Sequence, residues 1–261
     1  MSNSINLGKQ RFPHLIIHTP HAGTILPIKS EGYMNMGWWV RKNAITPLHQ
    51  QLTDHYTDKL FSSLDPSIRQ ISFPYSRLFC DVERLLDDPL EKKGLGICYK
   101  VERFISKAPH VWFGAWAMSK EEAMALYHTH HKALAQLIQR IGPYGKLLLD
   151  CHSFSEHDNV LCPNAHEYKD IDICIGYNED ESKPSDETIE AVANFFRQRG
   201  YRVAFNSPFS NSMVAQTHVH HYSLMIEVNK HCYINEDTLE VTAGFYKLHA
   251  ELQELYHLLQ N

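Results

Sequence analysis

The stretch 147–153, which reads LLLDCHS, decides the fold class of this chain. Its three leucines follow Gly145 and lead directly into polar residues, which is the pattern of a buried strand in an α/β sheet. Sheets of this class place ligands just beyond the carboxyl ends of their strands, where Asp150, His152 and Ser153 would lie. A neutral imidazole there is a good zinc ligand, and a nearby carboxylate can orient it. A histidine that is only hydrogen-bonded in a turn fits this motif equally well.

A second histidine follows a strand near the N-terminus. The apolar run 14–19 ends at Pro20, and Pro20 and Gly23 on either side of His21 predict a tight loop at the strand end. His21 is therefore either an ordinary loop histidine or a first metal ligand, placed as His152 is.

An early helix and a charged segment follow. Thr46-Pro47 predicts a helix start, and an apolar stripe extends the helix to about residue 61, with Asp54 and Asp58 on one face. Such a pair of carboxylates is typical of a solvated acidic face. Further on, the segment 77–84 carries charges among apolar residues, so we expect some of them to be buried and paired. Arginine suits bidentate carboxylate binding, but a structural salt-bridge network is the alternative for at least one of its two arginines.

Strands and helices alternate along the whole chain. Further strands are predicted at 68–73, 171–177, 201–205 and 223–228, and further helices at 119–141, 185–200 and 238–259. Residues 85–118 lack regular periodicity and predict a long excursion over the mouth of the site, in the manner of a lid. The pattern indicates a single α/β domain over residues 1–261, with a mixed, largely parallel sheet.

Composition excludes several classes of protein. A hydrophobic content of 43% and a charged content of 21% are ordinary for a globular protein, and the net charge of −5 argues against nucleic-acid and anionic-membrane partners. No apolar run is long enough to span a bilayer, and no signal peptide is visible. The six cysteines form no Cys-x-x-Cys pair, so we expect reduced thiols and a cytoplasmic location. The oligomeric state stays open.

Three features together suggest a catalytic metal site. His21 and His152 each follow a strand, acidic residues lie on the early helix, and Glu227 lies inside a late apolar strand. Two histidines and one carboxylate with an open fourth position form a catalytic zinc arrangement, and a buried glutamate beside it could take the proton of a water molecule.

The chain resembles the N-formylglutamate amidohydrolase family along nearly its whole length. Six motifs in the same order carry the resemblance: Pro20-His21-Ala22-Gly23, Asp54-x-x-x-Asp58-x-Leu60-Phe61, Tyr75-Ser76-Arg77-Leu78-x-x-Asp81-x-Glu83-Arg84, Asp150-x-His152-Ser153, Asn206-x-Pro208-Phe209-Ser210 and Met225-Ile226-Glu227-Val228-Asn229-Lys230. The resemblance implies a zinc-exopeptidase-like, three-layer α/β/α fold. It also implies a metal-dependent hydrolase that acts on N-acyl amino acids.

The resemblance also implies roles for individual residues. The metal ligands are expected to be His21, His152 and a carboxylate, for which Asp54 is the first choice because it recurs in the family motif and Glu83 is the second. Glu227 is expected to be the general base. Arg84, Arg77 and Asn206 are expected to bind the substrate, and Asp81 and Asp150 to support the residues that touch metal or substrate.

Three functions follow as hypotheses. The first is hydrolysis of the amide bond of a small-molecule N-acyl amino acid, such as N-formylglutamate, with Zn2+ as cofactor. The second is a peptidase-like hydrolase that acts on a peptide or cell-wall fragment through the same metal site. The third is a metal-free binding protein that retains the fold, and the presence of His21, His152 and Glu227 argues against it.

Overall fold

The structure, a computed structural model, describes residues 10–25, 46–99, 120–142 and 144–261. One sheet contains six strands: β1 (His14–Thr19), β2 (Arg69–Ser72), β3 (Lys146–Phe154), β4 (Ile173–Gly176), β5 (Val203–Phe205) and β6 (Tyr222–Asn229). The described α-helices are α1 (Thr46–Leu52), α2 (Thr57–Leu60), α3 (Lys120–Arg140), α4 (Asp186–Arg197) and α5 (Ala243–Gln260).

The sheet is mixed and largely parallel, as predicted. Its strand order is β2-β1-β3-β6-β4-β5, and only the contact between β4 and β6 is antiparallel. Because β1, β3 and β6 run in the same direction, they end at the same edge of the sheet, which we call the carboxyl edge. His21 follows β1 there, while His152 of β3 pairs in register with Glu227 of β6.

Alternate residues of the strands pack against opposite helix layers. Leu147 and Leu149 belong to the large core that includes α4 and α5. Leu148 faces the other way and packs with Leu134 and Ile138 of α3. Because a strand directs successive side chains to opposite faces, the leucine run of β3 is buried on both sides, and the domain has three layers.

The early helix differs from its prediction. The expectation of one helix to about residue 61 is wrong, because α1 ends at Leu52 and Tyr56 has a left-handed φ of 61° before α2. At the break the Thr53 hydroxyl donates to the carbonyl oxygen of His49 at 2.7 Å. The backbone N–H of Asp54 donates to the carbonyl oxygen of His21 at 3.0 Å. This bond between distant segments brings Asp54 beside the loop after β1.

A short hairpin precedes the last helix, and a 3-10 helix follows β2. The hairpin, β7 (Ile234–Asn235) with β8 (Glu240–Val241), delays the last helix to Ala243. Within 85–118, residues 89–93 form the 3-10 helix, but 100–119 lie outside the described residues, and with them most of the predicted lid. Among the described helices, none is long and apolar enough to cross a bilayer.

Candidate metal centre and active site

A cavity of about 560 Å³ opens at the carboxyl edge, within the size range of small-molecule sites. Its lining includes the predicted metal ligands, both predicted arginines and the predicted general base: His21, Asp54, Arg77, Arg84, His152 and Glu227. These residues come from segments that are far apart in the sequence. The parallel ends of β1, β3 and β6, together with the break after α1, bring them to one place.

Three donor atoms converge inside this cavity. The Nδ1 atoms of His21 and His152 are 3.3 Å apart. Asp54 Oδ2 lies 3.2 Å from His152 Nδ1 and 3.8 Å from His21 Nδ1. Donors held 2.0–2.1 Å from a tetrahedral zinc ion are about 3.3 Å from one another. The separations therefore fit three ligands of one ion.

Glu83 reaches the same point from the loop after β2. Its Oε1 lies 2.9 Å from His152 Nε2, and its Oε2 lies 3.5 Å from His21 Nδ1. His21, Glu83 and His152 can each place one ligand atom within 4.8 Å of the others. Glu83 is therefore a second carboxylate within ligand range of both histidines, but its nearest contact on His152 is Nε2, whereas Asp54 contacts Nδ1.

Asp81 is the buried carboxylate that holds this arrangement. One oxygen accepts a hydrogen bond from His21 Nε2 at 2.8 Å, and the other accepts from Arg77 Nη2 at 2.8 Å and from the Tyr99 hydroxyl at 2.7 Å. Burial alone would raise the pKa of Asp81, but the charges of Arg77 and its neighbours outweigh it and hold the pKa well below its usual value. Since the ionised carboxylate only accepts, His21 carries its proton on Nε2 and presents Nδ1 to the cavity.

The two arginines differ in what they contact. Arg77 donates to Asp81 through both Nε and Nη2. The Nε of Arg84 forms an ion pair with Asp81 at 3.4 Å but has no hydrogen-bond partner among the described residues, and this side chain remains 19% exposed at the cavity wall. Glu83 is turned toward the histidines. The structure therefore has one arginine held by a carboxylate and one able to take a ligand.

Glu227 is a buried carboxylate with an unpaired oxygen. It is 6% exposed, and its Oε2 has no hydrogen-bond partner among the described residues. Burial raises the pKa of Glu227 to about 8, and the charge of His152 acts in the opposite direction. A carboxylate in this state suits the exchange of protons with a ligand in the cavity.

A model of the N-formylglutamate amidohydrolase family matches residues 14–234. The chain belongs to this family. It also resembles the crystal structure of N-formylglutamate amidohydrolase from Ralstonia eutropha JMP134, with a TM-score of 0.68 and 20% sequence identity over 96% of this chain and 94% of that chain. No curated protein matches the chain significantly. The family and the α/β fold predicted from the sequence are confirmed.

Sequence reasoning missed a buried polar chain behind the site of this family member. His152 Nε2 lies 3.2 Å from Asp150 Oδ1, which is 2.9 Å from His18 Nδ1, and His18 Nε2 is 2.9 Å from His130 Nε2 of α3. Asp150 also accepts from the backbone N–H of Met213 at 2.8 Å. His18 and the Met213 backbone thus hold Asp150 in place beside His152. The available sequence signal was the alternation of side chains along β1, which directs both Ile16 and His18 toward α3.

Two other residues differ from the expectation. Asn206, predicted to bind substrate, is not among the residues that line the cavity. Its side-chain oxygen accepts from the backbone N–H groups of Tyr177 and Asn211 at 3.0 and 3.2 Å, so it shapes the loop whose residues 208–211 do line the cavity. Lys230 was not predicted as a site residue, yet it is 3% exposed and lies on the cavity wall.

Proposed function

We propose that this member of the family hydrolyses the amide bond of an N-formyl amino acid, such as N-formylglutamate, with one zinc ion held by His21, Asp54 and His152. The observation that carries the proposal is the convergence of three donor atoms at 3.2 to 3.8 Å from one another. Beside them lies Glu227, whose Oε2 has no hydrogen-bond partner in the part of the chain that the structure describes.

The donor set suits zinc. Imidazole nitrogens with one carboxylate are the usual protein ligands of a catalytic zinc ion, with a further position open. The ion would supply a Lewis acid that polarises the amide carbonyl and lowers the pKa of a water molecule. The bond from His21 Nε2 to Asp81 supports this assignment, because metal-ligating histidines commonly donate their other N–H to a carboxylate.

Glu227 is the group that moves protons in this proposal. It accepts a proton from the attacking water and returns it to the nitrogen of the departing amino acid. Its position supports the role, because Glu227 pairs in register with His152 on the neighbouring strand and lines the same cavity.

Arg84 holds the substrate's α-carboxylate. A small substrate needs a fixed anchor so that its carbonyl is held next to the attacking water. A guanidinium offers two parallel donors to a carboxylate. The contacts of Arg77 with Asp81 support a division of labour in which Arg77 stiffens the wall and Arg84 binds the ligand.

A substrate panel tests the function. N-formyl-L-glutamate, other N-formyl and N-acetyl amino acids, and dipeptides are offered to the protein before and after removal of metal with a chelator. We expect hydrolysis of N-formyl substrates that stops on chelation and returns with zinc. Faster cleavage of dipeptides would favour the peptidase-like function, and binding of these compounds without any hydrolysis would favour a binding protein.

A further inference from the structure

A buried histidine of α3, His130, lies behind the site and takes no part in the proposed chemistry. Its Nε2 lies 2.9 Å from His18 Nε2. We propose that His130 is a positioning residue that acts through two buried intermediates to hold His152 with its Nδ1 toward the metal. The intermediates are His18 and Asp150. The inference rests on the proposed function only in taking His152 as a ligand of the metal.

The packing of α3 fixes the place of His130. His130, Leu134 and Ile138 are spaced four residues apart, so they lie on one face of the helix. Leu134 and Ile138 pack with Ile16 of β1 in the core between this helix and the sheet. Because these contacts set the register of the helix against the sheet, they keep His130 next to His18 of the same strand.

The hydrogen bonds of this chain have one direction when its histidines are neutral. Asp150 Oδ1 lies 2.9 Å from His18 Nδ1, and Asp150 Oδ2 accepts from the backbone N–H of Met213 at 2.8 Å. A carboxylate only accepts, so a neutral His18 carries its proton on Nδ1 and accepts through Nε2. His130 must then donate from its Nε2. Burial and the nearby His18 lower the pKa of His130 to about 2, so its ring is neutral and has the one proton that this bond needs.

The other end of the chain reaches His152. Asp150 Oδ1 lies 3.2 Å from His152 Nε2, and a proton donated there leaves Nδ1 for the metal. Glu83 Oε1 lies 2.9 Å from the same nitrogen, but Glu83 is 21% exposed on a loop, whereas Asp150 is buried on β3. Without His130, His18 has a buried nitrogen to satisfy and can do so by turning away from Asp150. The ring of His152 would then lose its fixed partner.

His131, the next residue of α3, is the matched comparison. It is 5% exposed and His130 is 6% exposed. Its Nε2 lies 2.8 Å from the carbonyl oxygen of Val82, and no hydrogen bond that the structure describes joins it to Asp150. Removal of either imidazole therefore costs a buried hydrogen bond, but only the loss of His130 should reach His152.

The test measures zinc affinity, by competition with a chelator, together with Tm. Both His130→Leu and His131→Leu should melt at a lower temperature. Only His130→Leu should bind zinc more weakly, by roughly 10- to 100-fold, the loss typical of a residue that supports a ligand. His130→Gln should recover most of the affinity, because its amide can donate toward His18. Wild-type affinity in a folded His130→Leu protein, or an equal loss in both leucine variants, overturns the inference.

The metal-free protein separates this inference from the proposed function. NMR of the histidine ring nitrogens should place a proton on His18 Nδ1 and should show changed His152 signals in His130→Leu but not in His131→Leu. If the wild type binds no zinc and hydrolyses no N-formyl substrate, the proposed function fails, and these signals still decide the role of His130. A wild-type His18 without a proton on Nδ1 overturns the inference even if His130→Leu does not fold. His152 signals that are the same in the wild type and in His130→Leu also overturn it.

Discussion

Two charged clusters lie at the same edge of the sheet, and they differ in how their polar atoms are satisfied. At the start of β4, Asp172 accepts from His231 Nε2 at 2.9 Å and from Arg202 Nη2 at 2.8 Å through one oxygen. Its other oxygen accepts from the backbone N–H and the Nε of Arg202 at 2.7 and 3.0 Å. Each carboxylate oxygen of this Asp172 cluster therefore has two donors.

The site cluster, formed by His21, Asp54, Glu83 and His152, lies beside polar atoms that are not paired. Its ligand atoms converge on one another at 2.9 to 3.8 Å, and next to them Glu227 Oε2 and Arg84 Nε have no hydrogen-bond partner among the described residues. Buried polar groups in folded proteins are normally paired. Charge and burial are common to both clusters, so they do not by themselves mark a site. What distinguishes the site cluster is that buried polar atoms beside it, on Glu227 and Arg84, are left without a partner among the described residues.

The largest effect is expected from His152→Ala. Loss of a central donor of the site cluster should remove the metal and lower kcat/KM by more than about 100-fold, beyond the loss typical of residues that only support a ligand. Assays with N-formyl-L-glutamate measure this. His249→Ala is the matched control, because His249 does not line the cavity: its ring bonds the carbonyl oxygen of Leu60 and stacks on Phe245, so turnover should stay intact. Normal turnover by His152→Ala would remove this histidine from the site.

Glu227→Gln should separate chemistry from folding. We expect kcat to fall by roughly 10²- to 10⁴-fold, the contribution of a general base. Metal content should stay at the wild-type level, and Tm should not fall, because burial raises the pKa of Glu227 to about 8 and the amide replaces a side chain that is largely uncharged at neutral pH. Steady-state kinetics and a melting curve are sufficient. A variant with wild-type kcat would reduce Glu227 to a structural residue.

Arg84→Lys sharpens the comparison between the two arginines. The ammonium keeps the charge but not the paired donors. The transition-state stabilisation measured by kcat/KM should therefore fall by about 1.5–3 kcal/mol while metal content is preserved. Arg77→Lys should instead lower stability, because Arg77 is bonded to the buried Asp81. Equal turnover of substrates that lack a free α-carboxylate would contradict the role of Arg84.

The smallest effect on turnover is expected in the Asp172 cluster. Burial alone would raise the pKa of Asp172, but the bonds from Arg202 outweigh it and lower the pKa below its usual value. This carboxylate therefore stabilises the fold above its unfolded-state pKa, and the contribution is lost as pH falls through the folded-state pKa. Asp172→Asn should cost about 1–2 kcal/mol at neutral pH, since Arg202 is half exposed. The difference in Tm should shrink at acid pH, and a constant difference would contradict this role of Asp172.

The fold could be predicted from the sequence because its determinants are local. The leucines of β3 and the apolar runs of β1 and β6 indicate burial directly, while Pro20 marks the end of β1 and Gly145 the start of β3. Parallel strands then bring their ends to one edge, which is why the sequence alone is enough to group His21, His152 and Glu227.

The remaining features depend on contacts between distant segments. At the helix break at residues 53–56, the backbone N–H of Asp54 donates to the carbonyl oxygen of His21, a contact between distant segments that local helix propensity does not encode. Asn206 belongs to a family motif, but its neighbours in space hold it in a loop. The buried Lys230 donates to the backbone oxygen of Gln51, which lies 179 positions away in the chain. Tertiary structure decides such cases, so sequence patterns miss them.

The most direct test of the central claim is the zinc content of the protein measured by mass spectrometry after dialysis against zinc and then against buffer. The account predicts one zinc ion per chain in the wild type and in the His249→Ala control, and none in His21→Ala, Asp54→Ala or His152→Ala. If Glu83→Ala loses zinc while Asp54→Ala keeps it, the third ligand is Glu83. A wild-type protein that hydrolyses N-formyl-L-glutamate yet binds no zinc, or a His152→Ala variant with full zinc occupancy, would contradict the account.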